Sequence, residues 1–171
     1  IVYLRGSSSD TSKDLKNRIT EELQNSMVNS NNHWTVVFSI GMNDCGMSNG
    51  ENKVSKEQYR KNLEIIITKS KKFADQVIAV GLNPIDEQKL NESERLRNYL
   101  NSEVKEYENV FRQVCSEKSV KIIPTFEKLQ RQEQWNKMLF DGLHPNSKGH
   151  EKIYQIVNKP IKSELNFQHH K

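Results

Sequence analysis

Apolar residues in this chain follow two rhythms in turn, short continuous runs and stripes repeating every four positions. Ile1-Val2-Tyr3-Leu4 is the first run and predicts a short buried strand. A small-residue turn follows from Gly6 to Ser9, and Thr11-x-x-Asp14 then predicts a capping box that opens a helix. Leu15, Ile19, Leu23 and Met27 give that helix one apolar stripe. Trp34 to Ile40 is apolar at nearly every position, the pattern of a central parallel strand covered on both faces. Gly41-Met42-Asn43-Asp44 closes it, and Gly46 to Lys53 reads as a flexible loop. Ser55-x-x-Gln58 opens a second helix carrying Tyr59, Leu63, Ile66 and Ile67.

Gln76 to Leu82 is the third strand and runs into a loop from Asn83 to Glu87. Asn91-x-x-Glu94 is expected to open the longest helix, with Leu96, Leu100, Tyr107, Phe111 and Val114 on one face. Val120 to Ile123 is the fourth strand, stopped by Pro124, and a short helical piece spans Phe126 to Arg131. Asn146 or Ser147 caps a last helix with Ile153, Ile156 and Val157. Pro160 is expected to end it, giving a domain over 1–158 and a mobile tail over 159–171. Strands alternating with helices predict an α/β fold, a parallel sheet with helices on both faces. Ligands in such folds bind beyond the C-terminal ends of the strands. The loops at Gly6 to Asp10, Gly41 to Asp44 and Asn83 to Glu87 fall there, and a turn from Asp141 to His144 can join them.

Composition changes this picture little. The 171 residues fit one domain with a real core, under a surface rich in Asn, Gln, Ser and Lys. The net charge of +4 comes from 26 basic and 22 acidic residues that are interleaved. Lys69, Lys71 and Lys72 are the densest basic group, and they sit at a helix end, where cations complement the dipole. No nucleic-acid partner is expected from such a distribution. Cys45 and Cys115 match no metal or redox spacing and read as reduced thiols. No run approaches the roughly 18 continuous apolar residues of a membrane span. No signal peptide is visible, but the chain starts at Ile1 inside an apolar run, so residues are expected upstream and the compartment, cytoplasmic or secreted, stays open.

The chemistry-bearing residues are few. Asp141 and His144 stand three apart on a turn, and a carboxylate that orients an imidazole is half of a nucleophilic hydrolase site. The same pair also reads as a hydrogen-bonded surface contact. Asn43 follows a buried strand, where its amide can donate to a developing oxyanion or simply close the strand. His33 reads as a loop histidine, His150 as solvent-facing, and His169 and His170 as part of the tail. Cys45 adjoins Asn43-Asp44 and can line a pocket.

Together, Gly41-Met42-Asn43-Asp44 and Asp141-Gly142-Leu143-His144-Pro145 resemble two signature blocks of the SGNH/GDSL hydrolase family. The resemblance implies a flavodoxin-like three-layer α/β/α sandwich and a serine esterase that cleaves a small-molecule ester, whether acyl, lipid or sugar. It implies no metal and no organic cofactor. Residue by residue, it makes Asn43 the oxyanion amide, His144 the general base and Asp141 its orienting acid. Ser8-Ser9-Asp10-Thr11-Ser12, with Asp14, Leu15 and Arg18, is similar to the block that supplies a second oxyanion donor, and Ser9 occupies its glycine position. The loop Gly81 to Glu87 also resembles one found in bacterial members.

The family's Gly-Asp-Ser block is not found in the sequence. The first strand, the nucleophile and the first helix are therefore expected before Ile1, and the chain alone is expected to be inactive. Gly6-Ser7-Ser8 is the competing assignment, with Ser8 as nucleophile. Two further readings use the same residues: a non-catalytic member that binds acyl or glycan ligands, and an acyltransferase.

Overall fold

The computed structural model describes residues 2–27, 32–92 and 98–167. Its centre is a parallel sheet of β1 (Thr35–Phe38), β4 (Gln76–Val80) and β5 (Lys121–Ile123), in the order β1-β4-β5. Side chains alternate across it. Val36, Phe38, Val77, Ala79 and Ile122 belong to the main core with α1 (Ser12–Ser26), α3 (Lys56–Phe73) and α5 (Asn101–Glu117). Gln76, Ile78 and Lys121 face the other way. There α7 (Ser147–Phe167) docks, because Glu164 accepts from Gln76 Nε2 at 3.1 Å and pairs with Lys121. The result is the expected α/β architecture, helices on both faces of a parallel sheet.

The helical stripes predict the core well: Tyr59, Leu63, Ile66, Ile67, Tyr107, Phe111 and Val114 are all fully buried. Thr11 N donates to Asp14 Oδ2 at 2.9 Å, and Ser55 Oγ accepts from Gln58 N at 3.2 Å, so both caps form.

Five expectations fail. Val2 to Leu4 is not a buried strand: Val2 is 85% and Leu4 92% exposed, and the segment pairs with no strand among the described residues. Strand geometry persists only where a neighbour takes its backbone groups. Ile1 lies outside the described residues. Trp34 to Ile40 gives β1, which forms an edge of the described sheet, and Val37 is 45% exposed. Buried β4 is the central strand. Gly46 to Lys53 is no open loop but a hairpin of β2 (Met47–Ser48) and β3 (Glu51–Asn52). Asn49 and Gly50 turn it with φ of 53° and 83°, as a primed turn requires.

The long helix starts at Asn101 rather than Asn91, behind a separate α4 (Glu87–Asn91) that Asp86 caps by accepting from Lys89 N at 3.2 Å. Glu94 and Leu96 lie outside the described residues. Finally, α7 runs through Pro160 to Phe167. Proline removes one helical bond, yet the helix continues, and Glu164 in the following turn contacts Lys121 and Gln76 of the sheet. Residues 159–167 are therefore helix, not tail.

Candidate active site

Beyond the C-terminal ends of the strands, a short chain segment builds the Asp141–His144 turn. A 3₁₀ helix, Trp135–Met138, leads into it after α6 (Phe126–Gln130). Leu139 bridges to Pro145, and Phe140 N donates to His144 O at 2.7 Å, which closes the turn. Gly142 makes the bend at φ 93°, and its carbonyl accepts from Asp86 N at 2.9 Å. Asn146 caps α7, its Oδ1 accepting from Lys148 N at 3.0 Å and Gly149 N at 3.1 Å.

Within this frame Asp141 grips His144 twice. Its Oδ1 accepts from His144 N at 2.8 Å and Leu143 N at 3.0 Å, while Oδ2 meets His144 Nδ1 at 2.7 Å. Partial burial raises the carboxyl's pKa, but these bonds outweigh it and bring the pKa down to about 2. Asp141 is thus a carboxylate at any ordinary pH. The imidazole side chain is 67% exposed, and its Nε2 lies on the ring's far side from Asp141.

The second group of residues forms around β1's exit. Gly41 turns the chain at φ 133°, with Tyr59 packed so close that a Cβ would stand 2.5 Å from its hydroxyl. Tyr59 OH donates to Ile40 O at 2.8 Å. A single helical turn, α2 (Met42–Cys45), then presents Asn43, whose Nδ2 donates to Asp10 O at 2.9 Å. Arg18 fixes the same loop from α1: Nε donates to Asp10 Oδ2 at 2.7 Å and an Nη to Arg5 O at 3.0 Å. Ser9 adopts φ 66°, the left-handed region that glycine enters most readily. Ser8 sits beside it, exposed in the turn.

Beneath lies a buried network that sequence reasoning missed. Asp44 is fully buried and accepts from Ser12 N at 2.9 and 3.0 Å and from the Ser12 hydroxyl. Asn62 Nδ2 donates to Ser12 Oγ at 2.9 Å, and Gln58 Nε2 to Asn62 Oδ1 at 2.9 Å. Burial raises the Asp44 carboxyl's pKa, and the Ser12 bonds oppose that rise. Ser12 opens α1, so the carboxylate also faces the helix's positive end.

The structure therefore joins Asn43 to the Ser8–Asp10 loop, and Asp141 to His144. Among the described residues, no hydrogen bond links one pair to the other. Cys45 is buried, and burial pushes its thiol up to about 12, which removes it from nucleophilic chemistry near neutral pH. Among the described residues no cluster of three or more His, Cys, Asp or Glu side chains is set to hold a metal ion, and no helix is long and apolar enough to cross a membrane.

Comparison with known proteins bears on the family and the fold. The family model for the GDSL-like lipase/acylhydrolase family matches residues 1–152. Among curated proteins none matches. Among solved structures, a lipase/acylhydrolase from Enterococcus faecalis superposes with a TM-score of 0.72 at 20% identity, over 91% of this chain and 72% of that one. An acetyl xylan esterase, AlAXEase, gives 0.73 at 17% identity, over 92% and 79%. A mutant acetylxylan esterase from Geobacillus stearothermophilus gives 0.66 at 20% identity, over 89% and 68%.

Proposed function

This chain belongs to the GDSL-like lipase/acylhydrolase family, and on that premise we propose that it serves the hydrolysis of carboxylic esters through an acyl-serine intermediate. One observation carries the reading: Asp141 holds His144 through ring Nδ1 at 2.7 Å and backbone N at 2.8 Å. That grip fixes the tautomer in which Nδ1 bears the proton and Nε2 is the free base.

The steps follow from there. His144 Nε2 takes the proton of a serine hydroxyl as the serine oxygen attacks the ester carbonyl. The oxyanion is held by the Ser9 N–H and the Asn43 amide, which has two N–H bonds and spends one on Asp10 O. Each such donor typically contributes ~3 kcal/mol to the transition state. His144 returns its proton to the leaving alcohol, and water repeats the sequence on the acyl-enzyme. Asp141 stays ionised throughout, with its carboxyl pKa brought down to about 2.

A serine of a Gly-Asp-Ser block before Ile1 is the assigned nucleophile, and Ser8 is the competing assignment within these residues. The acetyl xylan esterases of similar fold support a small acyl group on the substrate. A non-catalytic binding role is favoured by one feature, the serine at φ 66° where the family pattern has glycine. The test is turnover of p-nitrophenyl acetate by the full-length protein beside its His144→Ala variant, with fluorophosphonate labelling to locate the serine. A loss of roughly 100-fold or more is expected for a missing general base. Equal rates sink the assignment of His144, and ester binding with no turnover in either protein supports the binding role instead.

A further inference from the structure

Glu108 sits in the middle of α5, fully buried, and no step of the proposed reaction uses it. Its Oε2 accepts from Leu82 N at 2.7 Å, at the point where β4 gives way to the loop 81–87. Gly81 is what lets the carboxylate come so near, because a Cβ there would collide with it. The rest of the loop is held polar group by polar group. Thr125 Oγ1 donates to Leu82 O at 2.7 Å, and Trp135 Nε1 to Pro84 O at 2.9 Å. The Asn101 side chain spans both backbone groups of Ile85, each at 2.9 Å. The loop's last contact is Asp86 N to Gly142 O at 2.9 Å, inside the turn that carries Asp141 and His144.

We propose that Glu108 is a positioning residue for His144: its carboxylate fixes the loop 81–87, and that loop fixes the turn. The other oxygen shows how the hold is adjusted. Among the described residues Oε1 is buried without a hydrogen-bond partner, and Arg112 Nε stands 3.5 Å from it. A proton added at Oε1 leaves the Leu82 bond in place but turns it from charge-assisted to neutral, roughly halving its strength. Burial pushes the Glu108 carboxyl up to about 7, against the Leu82 bond and Arg112, so the change falls near neutral pH. The groups facing Glu108 are Arg112 and Cys115 on its own helix, Glu127 on α6 and Tyr59 on α3. Burial raises both Cys115 and Tyr59, which leaves them neutral there, and Glu127 forms two 3.0 Å bonds to Arg112. Glu108 is therefore the group of this set that changes charge near neutrality.

The inference rests on His144 being the base, but its test needs no turnover, so the two fail separately. Backbone amide shifts of Leu82, Asp86 and Gly142 are followed by NMR from pH 5 to 9 in the full chain carrying His144→Gln, which silences the imidazole's own titration. All three amides should show one common inflection near neutral pH. Adding Glu108→Gln, which keeps an oxygen for Leu82 N, should abolish it at all three. Arg112→Gln, which removes the adjacent cation, should move it to higher pH. Titration of Leu82 alone, an inflection that survives Glu108→Gln, or a midpoint unmoved by Arg112→Gln would each overturn the proposal.

Discussion

The backbone N–H and hydroxyl of Ser12 both point at the Asp44 carboxylate, at the first turn of α1 and deep in the protein. This contact ties the loop before α1 to the turn that carries Asn43. Ser12→Ala removes one donor to a buried carboxylate and one acceptor of Asn62. Leaving such groups unsatisfied costs about 1–3 kcal/mol each, so a loss of about 2–3 kcal/mol is expected from denaturant unfolding. The sign with pH also follows. Burial sets the folded-state carboxyl of Asp44 above its unfolded value, so stability is full below the unfolded value and falls as pH rises through the folded one. The Ser12 hydroxyl moderates that fall. Its loss should therefore hurt more at pH 8 than at pH 4, and equal losses at both would refute this account.

Ser9 occupies a left-handed conformation at φ 66°. A non-glycine residue there costs roughly 1–2 kcal/mol, while glycine gives back about 0.5–1 kcal/mol through its freer unfolded chain. Ser9→Gly should therefore stabilise by about 0.5 kcal/mol, or roughly 1–2 °C in Tm for a domain of this size. A lower melting temperature would show that the Ser9 side chain contributes more than its backbone strain costs.

Asp141→Asn keeps the turn's size but removes the charge that orients His144. Bonds in the folded state hold the Asp141 carboxyl down at about 2, so its contribution is present above the unfolded value near 3.8 and is lost as pH falls toward 2. Discounted for partial exposure, that is about 1–2 kcal/mol at pH 7. Variant and wild type should converge in stability near pH 2. Under the proposed mechanism, ester turnover should drop by roughly 10⁴, the loss seen when the acid of a serine triad is neutralised.

The parts legible in the sequence are those carried by local pattern. Stripes such as Tyr59, Leu63, Ile66 and Ile67 repeat with the helix period, so their burial could be read directly. Asp141 and His144 are close in sequence, and their contact is a property of the turn between them. Ser12, Asp44 and Asn62 were not legible, because their contacts join residues 32 and 50 positions apart and depend on how α1, α2 and α3 pack. The same holds for α7 past Pro160, where Glu164 meets Lys121 and Gln76, 43 and 88 positions away, beyond the reach of local pattern. Asn49-Gly50 was different: the dipeptide is a known hairpin signal, and the polar residues around it masked the short strands.

Gly142 has two reasons to be glycine, and they can be separated. Its φ is 93°, outside the range of ordinary side chains, and a Cβ would stand 2.9 Å from Asp86 O and 3.0 Å from Leu90 Cγ. Gly142→Ala must therefore either strain the backbone or push the turn away from α4. Strain of this kind costs about 1–3 kcal/mol, and the displaced contact is the bond from Asp86 N to Gly142 O. A destabilisation of about 2–4 kcal/mol is expected, within the range of the most damaging single substitutions. Gly6→Ala is the control, since nothing lies within 4 Å of a Cβ there, and its effect should stay within about 0.5 kcal/mol. The two outcomes at Gly142 differ in the His144 ring resonances. Pure backbone strain leaves them unchanged while stability falls, whereas a displaced turn shifts them as the 2.7 Å contact to Asp141 is remade. Because Leu90 is fully buried and can give little way, the displaced turn is the expected outcome, and with it a loss of hydrolysis larger than the loss of stability accounts for.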